Sequence, residues 1–140
     1  MSADENKTRV DRLVDQIWDK GSLAAVEELF SPNVLDHNPS PGQASGLEGQ
    51  KQSVSEFRAA FPDLHTTNDD LVAEGDKVVL RWSGHGTHQG SLFGIPPTGK
   101  QATFTGIEIY RLESGKVVER WAEFDVLGIM QQLGVIPMPG

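Results

Sequence analysis

Gly-Lys-Val-Val-Glu-Arg-Trp-Ala-Glu-Phe-Asp-Val-Leu-Gly-Ile-Met-Gln-Gln-Leu-Gly, residues 115–134, changes its hydrophobic period halfway along. Ser114-Gly115 reads as a tight turn, where glycine supplies the positive φ that a hairpin needs. Val117 to Phe124 is rich in β-branched and aromatic residues and predicts a half-buried strand. Asp125 stands where a helix would begin, with a short carboxylate able to accept first-turn N–H groups. Ile129, Met130 and Leu133 then form a helical stripe, stopped by Gly134 with Pro137 beyond it. A strand running into a carboxylate and a terminal helix could close one end of a pocket.

Alternation gives this strand two possible working faces. Val118, Arg120, Ala122 and Phe124 share one; Val117, Glu119, Trp121 and Glu123 share the other. Periodicity alone leaves open which face looks inward.

Upstream the period is helical. Val10, Leu13, Val14, Ile17 and Trp18 place a helix over 4–20. Gly21 ends it, and Ser22 N-caps a second helix that stops at Ser31-Pro32. Asn33 to Asn38 is short and extended, residues 39–46 read as a loop, and Leu47, Val54, Phe57 and Phe61 mark a third helix. Strands follow over 64–73, 77–85 and 101–112, with a Gly-rich bend and an irregular Pro-rich stretch between the last two. Helices first and consecutive antiparallel strands after predict an α+β domain spanning 1–140, its helices packed on a curved, mostly antiparallel sheet with room for a pocket between the layers.

Twelve Lys and Arg stand against 20 Asp and Glu, a net charge of −8. So acidic a chain is a poor partner for nucleic acid or an anionic membrane, whose binding begins with phosphate neutralisation. Cysteine is absent, which removes disulfides, thiolate zinc sites and thiol nucleophiles. No stretch approaches a membrane span and the first residues hold no apolar leader, so a cytoplasmic location is expected.

Several motifs occur together: Asp36-His37-Asn38-Pro39, Phe61-Pro62-Asp63, Gly75-Asp76-Lys77-Val78-Val79, Gly86-Thr87-His88-Gln89-Gly90, Gly94 to Lys100, and Gly115-Lys116-Val117-Val118-Glu119 followed by Trp121, Asp125, Gly128 and Gln132-Leu133-Gly134. With these the chain resembles, over nearly its whole length, the SnoaL-like polyketide cyclase/ester cyclase family of the NTF2-like superfamily. The resemblance implies a cone-shaped α+β barrel with an internal pocket, often dimeric through the outer sheet face. It also implies intramolecular aldol cyclisation of a polyketide methyl ester by a carboxylate acid/base, with no metal or organic cofactor. Aligned without gaps, the family's catalytic aspartate falls on Ala122, and Arg120 stands where many relatives carry histidine. Trp18 falls where the cyclases place an aromatic residue against substrate, and Tyr110 near a pocket histidine. A methyl group moves no proton, so two expectations stand: a cofactor-independent enzyme using another acid/base on an apolar carbonyl substrate, or a non-catalytic small-ligand binder.

Asp125 and His37 are the acid/base candidates. A helix cap explains Asp125 better, from position alone, without excluding the chemical role, and His37 is as well explained as a residue bonded to nearby backbone. Glu108 and Tyr110 share a face, as do Arg120 and Ala122 on the next strand; inward together, they would make a buried Glu108–Arg120 pair. Trp18, Trp82, Glu108, Tyr110 and Arg120 are the expected substrate-binding residues. Arg81 and Trp82 point to opposite sides, so at most one lines the pocket. His85 and His88 are oddly spaced for a strand-borne metal site, and none is expected.

Overall fold

A computed structural model describes residues 1–137. Helix α1 (Ala3–Trp18) begins at a capping box in which Ser2 and Glu5 satisfy each other's backbone N–H groups, and it buries Val10, Leu13, Val14 and Ile17. Ser22 caps α2 (Leu23–Leu29) by accepting from the Ala25 N–H at 3.1 Å. The chain then passes straight into strand β1 (Phe30–Asp36), followed by α3 (Gly46–Ala60). Strands β2 (His65–Glu74), β3 (Lys77–Thr87), β4 (Gln101–Glu113) and β5 (Lys116–Phe124) precede the terminal helix α4 (Val126–Gln132).

The sheet order is β1-β5-β4-β3-β2, antiparallel except that β1 runs parallel to β5. This is the expected α+β arrangement, with one refinement. β1 and β2 are free edges, so the sheet is open and the helices, rather than a closing strand pair, cover its hollow side. The residues read as a short extended piece are that edge strand. Pro32 is tolerated within it because an edge position need not donate to a ladder, and the register with β5 shifts between Phe30 and Leu35.

The turn joining β4 to β5 has positive φ at both Ser114 (50°) and Gly115 (78°), the pairing that matches the twist of a tight hairpin. Just beyond it, Arg111 pairs with Glu119 but Leu112 pairs with Val117, leaving Val118 as an extra residue in β5. That bulge changes which residues share a side. Val117 is fully buried, and Arg120, Ala122 and Phe124 also face the hollow, although simple alternation puts Val117 on the opposite face.

Two hydrophobic clusters fill the ends of the hollow. One gathers α1, α2 and residues from across the sheet around Leu13, Ile17, Leu29, Leu80 and Tyr110; the other gathers Phe61, Phe104, Ile129 and Leu133. Trp18 and Trp82 border both clusters. The Trp82 indole lies flat on Gly106, where an added Cβ would sit 2.7 Å from ring atoms. Gly106→Ala is therefore expected to push this ring toward the hollow and to cost about 1–3 kcal/mol, read as a lower urea midpoint. An unchanged midpoint would show that the ring moves freely.

Candidate active site

Between the clusters lies a cavity of about 590 Å³. Its walls are aromatic and come from distant elements: Trp18 from α1, Phe57 from α3, Trp82 from β3 and Phe124 from β5. Trp18 and Phe57 meet edge to face with centroids 5.9 Å apart, and Phe57 meets Phe124 the same way at 6.2 Å. Leu92, Phe93 and Gly94, from the connection between β3 and β4, contribute a further wall. The buried His88 holds the base of that connection: its Nδ1 accepts from the Thr98 N–H at 3.2 Å and lies 3.0 Å from the Thr98 hydroxyl.

The floor is polar. Glu108 and Tyr110 project inward from β4, because every even-numbered residue from Ala102 to Leu112 is buried. Arg120, on the neighbouring strand, donates from Nε to Glu108 Oε1 at 2.9 Å and from Nη2 to the same oxygen. Its Nη1 donates to Asp36 Oδ2 at 2.8 Å, a contact made possible by the parallel pairing of Asp36 with Arg120. The Tyr110 hydroxyl donates to Glu108 Oε2 at 3.0 Å. Asp36 also accepts from the Gln50 amide at 2.9 Å, from Gln43 at 3.3 Å and from the Asn38 N–H at 2.9 Å. The side chains of Asp36, Glu108 and Arg120 are only 8%, 5% and 13% exposed, so this is a buried cluster of two carboxylates on one guanidinium.

The cluster governs its own ionisation. Burial alone would raise the Asp36 carboxyl, but Arg120 and the amide and N–H donors outweigh it and hold it below its ordinary value of 3.8. Burial also opposes the charge on Arg120, yet Glu108, Tyr110 and Asp36 raise its pKa further. Burial and the adjacent Glu108 carboxylate push the Tyr110 phenol well above its usual range, so it remains a donor. Since folding lowers the Asp36 pKa, its contribution to stability is complete above 3.8 and is lost as pH falls through the lower folded value. Wild-type urea stability is expected to drop below about pH 4, and less steeply in Asp36→Asn. Parallel pH profiles for the two proteins would remove Asp36 as a source of acid sensitivity.

Of the residues picked out from sequence, Trp18, Trp82, Glu108 and Arg120 line the cavity, and Tyr110 lies beneath its floor against Glu108. Arg81 faces away and pairs with Asp70 at 2.7 Å. His37 and Asp125 are not brought to the cavity. The His37 ring stacks on Trp121 at 4.7 Å, and its Nε2 lies 2.8 Å from Glu119, all outside the hollow. Asp125 is exposed and caps α4, accepting from the Gly128 N–H at 2.8 Å.

Sequence reasoning passed over three contributors: Asp36, Asn38 and Gln50. Asp36 and Asn38 flank His37, so alternation turns them to the side that His37 leaves. Asn38 lines the cavity, and its Oδ1 accepts from the Ala122 N–H at 2.9 Å, which leaves its amide N–H groups as donors. Gln50 lies three residues after Leu47 and four before Val54, a polar residue on the apolar stripe of α3. That is the signal that could have found it.

An open, mostly antiparallel sheet curled over helices is NTF2-like architecture. The sequence profile of the SnoaL-like polyketide cyclases matches residues 8–133, and the chain belongs to that family. It is 30% identical over 108 residues to the aklanonic acid methyl ester cyclase DnrD of Streptomyces peucetius, covering 76% of this chain and 72% of that one. The nogalonic acid methyl ester cyclase of Streptomyces nogalater is 28% identical over 123 residues, covering 84% and 89%. Among solved structures, TsrD from Streptomyces laurentii superposes with a TM-score of 0.89 at 28% identity, over 97% of this chain and 100% of that one. No helix among the described residues is long and apolar enough to cross a membrane.

Proposed function

We propose that this chain is an enzyme that moves a proton within an apolar, carbonyl-bearing substrate in its cavity, with Glu108 as the acid/base and aldol ring closure as the reaction. The observation that carries this reading is the register across the last two strands: Glu108 pairs directly with Ala122. Side chains of directly opposed residues start about 5 Å apart. A carboxylate reaching in from Glu108 therefore serves the space into which an aspartate at residue 122 would project. In this reading the family's carboxylate has moved across one strand.

Position supports the same assignment. Glu108 lines the cavity and Asp36 does not, so Glu108 is the carboxylate placed to accept a proton from a bound molecule. It would take a proton from the carbon next to a carbonyl while the Asn38 amide donates to the developing enolate oxygen. The enolate carbon would then bond to a second carbonyl carbon of the same molecule. The resulting alkoxide would recover the proton from Glu108, so the product has the mass of the substrate.

The similarity to two methyl ester cyclases makes an aromatic polyketide methyl ester the first substrate to offer. Purified protein is expected to convert it to a product of equal mass with an altered absorbance spectrum. A second reading, a non-catalytic binder, is favoured by one observation: both Glu108 oxygens already accept hydrogen bonds, from Arg120 and from Tyr110. Saturable binding of the ester with no change in it would decide for the binder.

A further inference from the structure

We infer that Phe93 is a specificity-determining residue of the cavity, a ring fixed at its mouth to stack on the flat body of a multi-ring aromatic ligand. This rests on the proposed use of the cavity as the working site and adds the size and shape that the site selects. Phe93 lines the cavity and is 44% exposed, so it stands where the cavity meets solvent. Among the described residues it is the one aromatic side chain left exposed, and it belongs to neither hydrophobic cluster. Its neighbour Leu92 is buried in the second cluster and fastens the turn to the core. Packing therefore accounts for Leu92 and not for Phe93.

The backbone under Phe93 points the same way. Leu92 and Ile95 exchange both backbone hydrogen bonds, at 3.1 and 2.8 Å, around a two-residue turn. Both central residues have positive φ, 50° at Phe93 and 80° at Gly94. Asn-Gly suits such a turn, whereas a bulky side chain in the left-handed region crowds its own backbone. Folding alone thus favours asparagine at residue 93, and a phenyl ring there costs stability. Strain of this kind clusters at active sites and ligand clamps.

The turn is also held still. His88 donates its N–H to the Lys100 carbonyl and Gly99 donates to the His88 carbonyl, each at 2.9 Å, closing the base of the loop. The N–H groups of Gln89 and Gly90 both donate to the Ala60 carbonyl, at 2.9 and 3.2 Å. Gly90 lies so close to α3 that an added Cβ would collide with the Ala59 carbonyl. A ring carried on so braced a turn loses little freedom when a ligand settles against it. An apolar cavity of about 150 Å³ already takes benzene. One of about 590 Å³ has room for several fused rings, enough to run from the Glu108 floor to Phe93 at the mouth.

The test compares methyl anthracene-2-carboxylate with methyl benzoate by equilibrium dialysis against wild type, Phe93→Asn and Phe93→Tyr. Phe93→Asn is expected to bind the anthracene ester about tenfold more weakly, and methyl benzoate within about twofold of wild type. Phe93→Tyr, which keeps the ring, should keep wild-type affinity for both. The urea midpoint of Phe93→Asn should equal or exceed that of wild type, since asparagine suits the turn. Unchanged affinity of Phe93→Asn for the anthracene ester, equal losses for both esters, no binding of the anthracene ester by wild type, or a lowered urea midpoint would overturn the inference. The cyclisation assay separates this from the proposed function. Turnover of the polyketide ester, with the anthracene ester bound equally by wild type and Phe93→Asn, sinks the role of Phe93 alone. Selective loss of the anthracene ester in Phe93→Asn, with no turnover by wild type, sinks the enzyme alone.

Discussion

Arg120→Met is expected to destabilise the domain by about 3–5 kcal/mol, the range seen when one partner of a buried ion pair is removed. The loss does not measure the strength of the original contacts. It comes from stranding Glu108 and Asp36, 5% and 8% exposed, with no cation between them. Each keeps some neutral donors: Tyr110 on Glu108, and Gln50, Gln43 and the Asn38 N–H on Asp36. Those donors do not neutralise two like charges in one pocket, so one carboxyl should take up a proton instead. The deficit is accordingly expected to be smaller at pH 5 than at pH 8 (about 1 kcal/mol smaller for a pKa shifted by one unit). Adding Glu108→Gln and Asp36→Asn to Arg120→Met should recover much of the stability. Urea unfolding of the wild type, the single variant and the triple variant checks this, and a deficit under about 1 kcal/mol for the single variant would mean that the cluster is far wetter than its burial indicates.

Glu108→Gln is the second large effect: turnover is expected to fall by about a hundredfold or more, the scale of a lost general acid/base. The amide keeps the shape of the side chain, Arg120 keeps Asp36, and Tyr110 can still donate to an amide oxygen. Ligand affinity should therefore change far less than turnover. That split between turnover and binding distinguishes loss of a proton-transfer group from collapse of the cavity. A parallel fall in both would instead assign Glu108 a purely structural part.

Much of the architecture was legible because the period of hydrophobicity changes sharply after Pro62. Four strands and four helices could be placed from that change, their caps and their turns. The bulge at Val118 was not, since an extra residue in one strand shows only against its partner's register. It reconciles a buried Val117 with an inward Arg120. The parallel β1–β5 pair was also invisible, because pairing between distant segments leaves no local mark.

The site was read in part. Alternation along β4 put Glu108 and Tyr110 on one face, and that face proved to be the buried one. The acid/base candidates chosen for residue type, His37 and Asp125, stand outside the cavity for local reasons. Asp125 is drawn to the free N–H groups of α4, and His37 is turned outward by the same alternation that turns Asp36 and Asn38 in. A histidine catches the eye in a sequence, but a charged residue on a core-facing stripe carried more information here.

The most direct measurement is solvent deuterium exchange at the acidic carbon of an aromatic β-keto ester bound in the cavity, followed by NMR. Wild-type protein should speed the exchange, and Glu108→Gln should lose that acceleration about a hundredfold or more while still binding the ester. Equal acceleration by both proteins would contradict the assignment of Glu108 as the group that moves the proton.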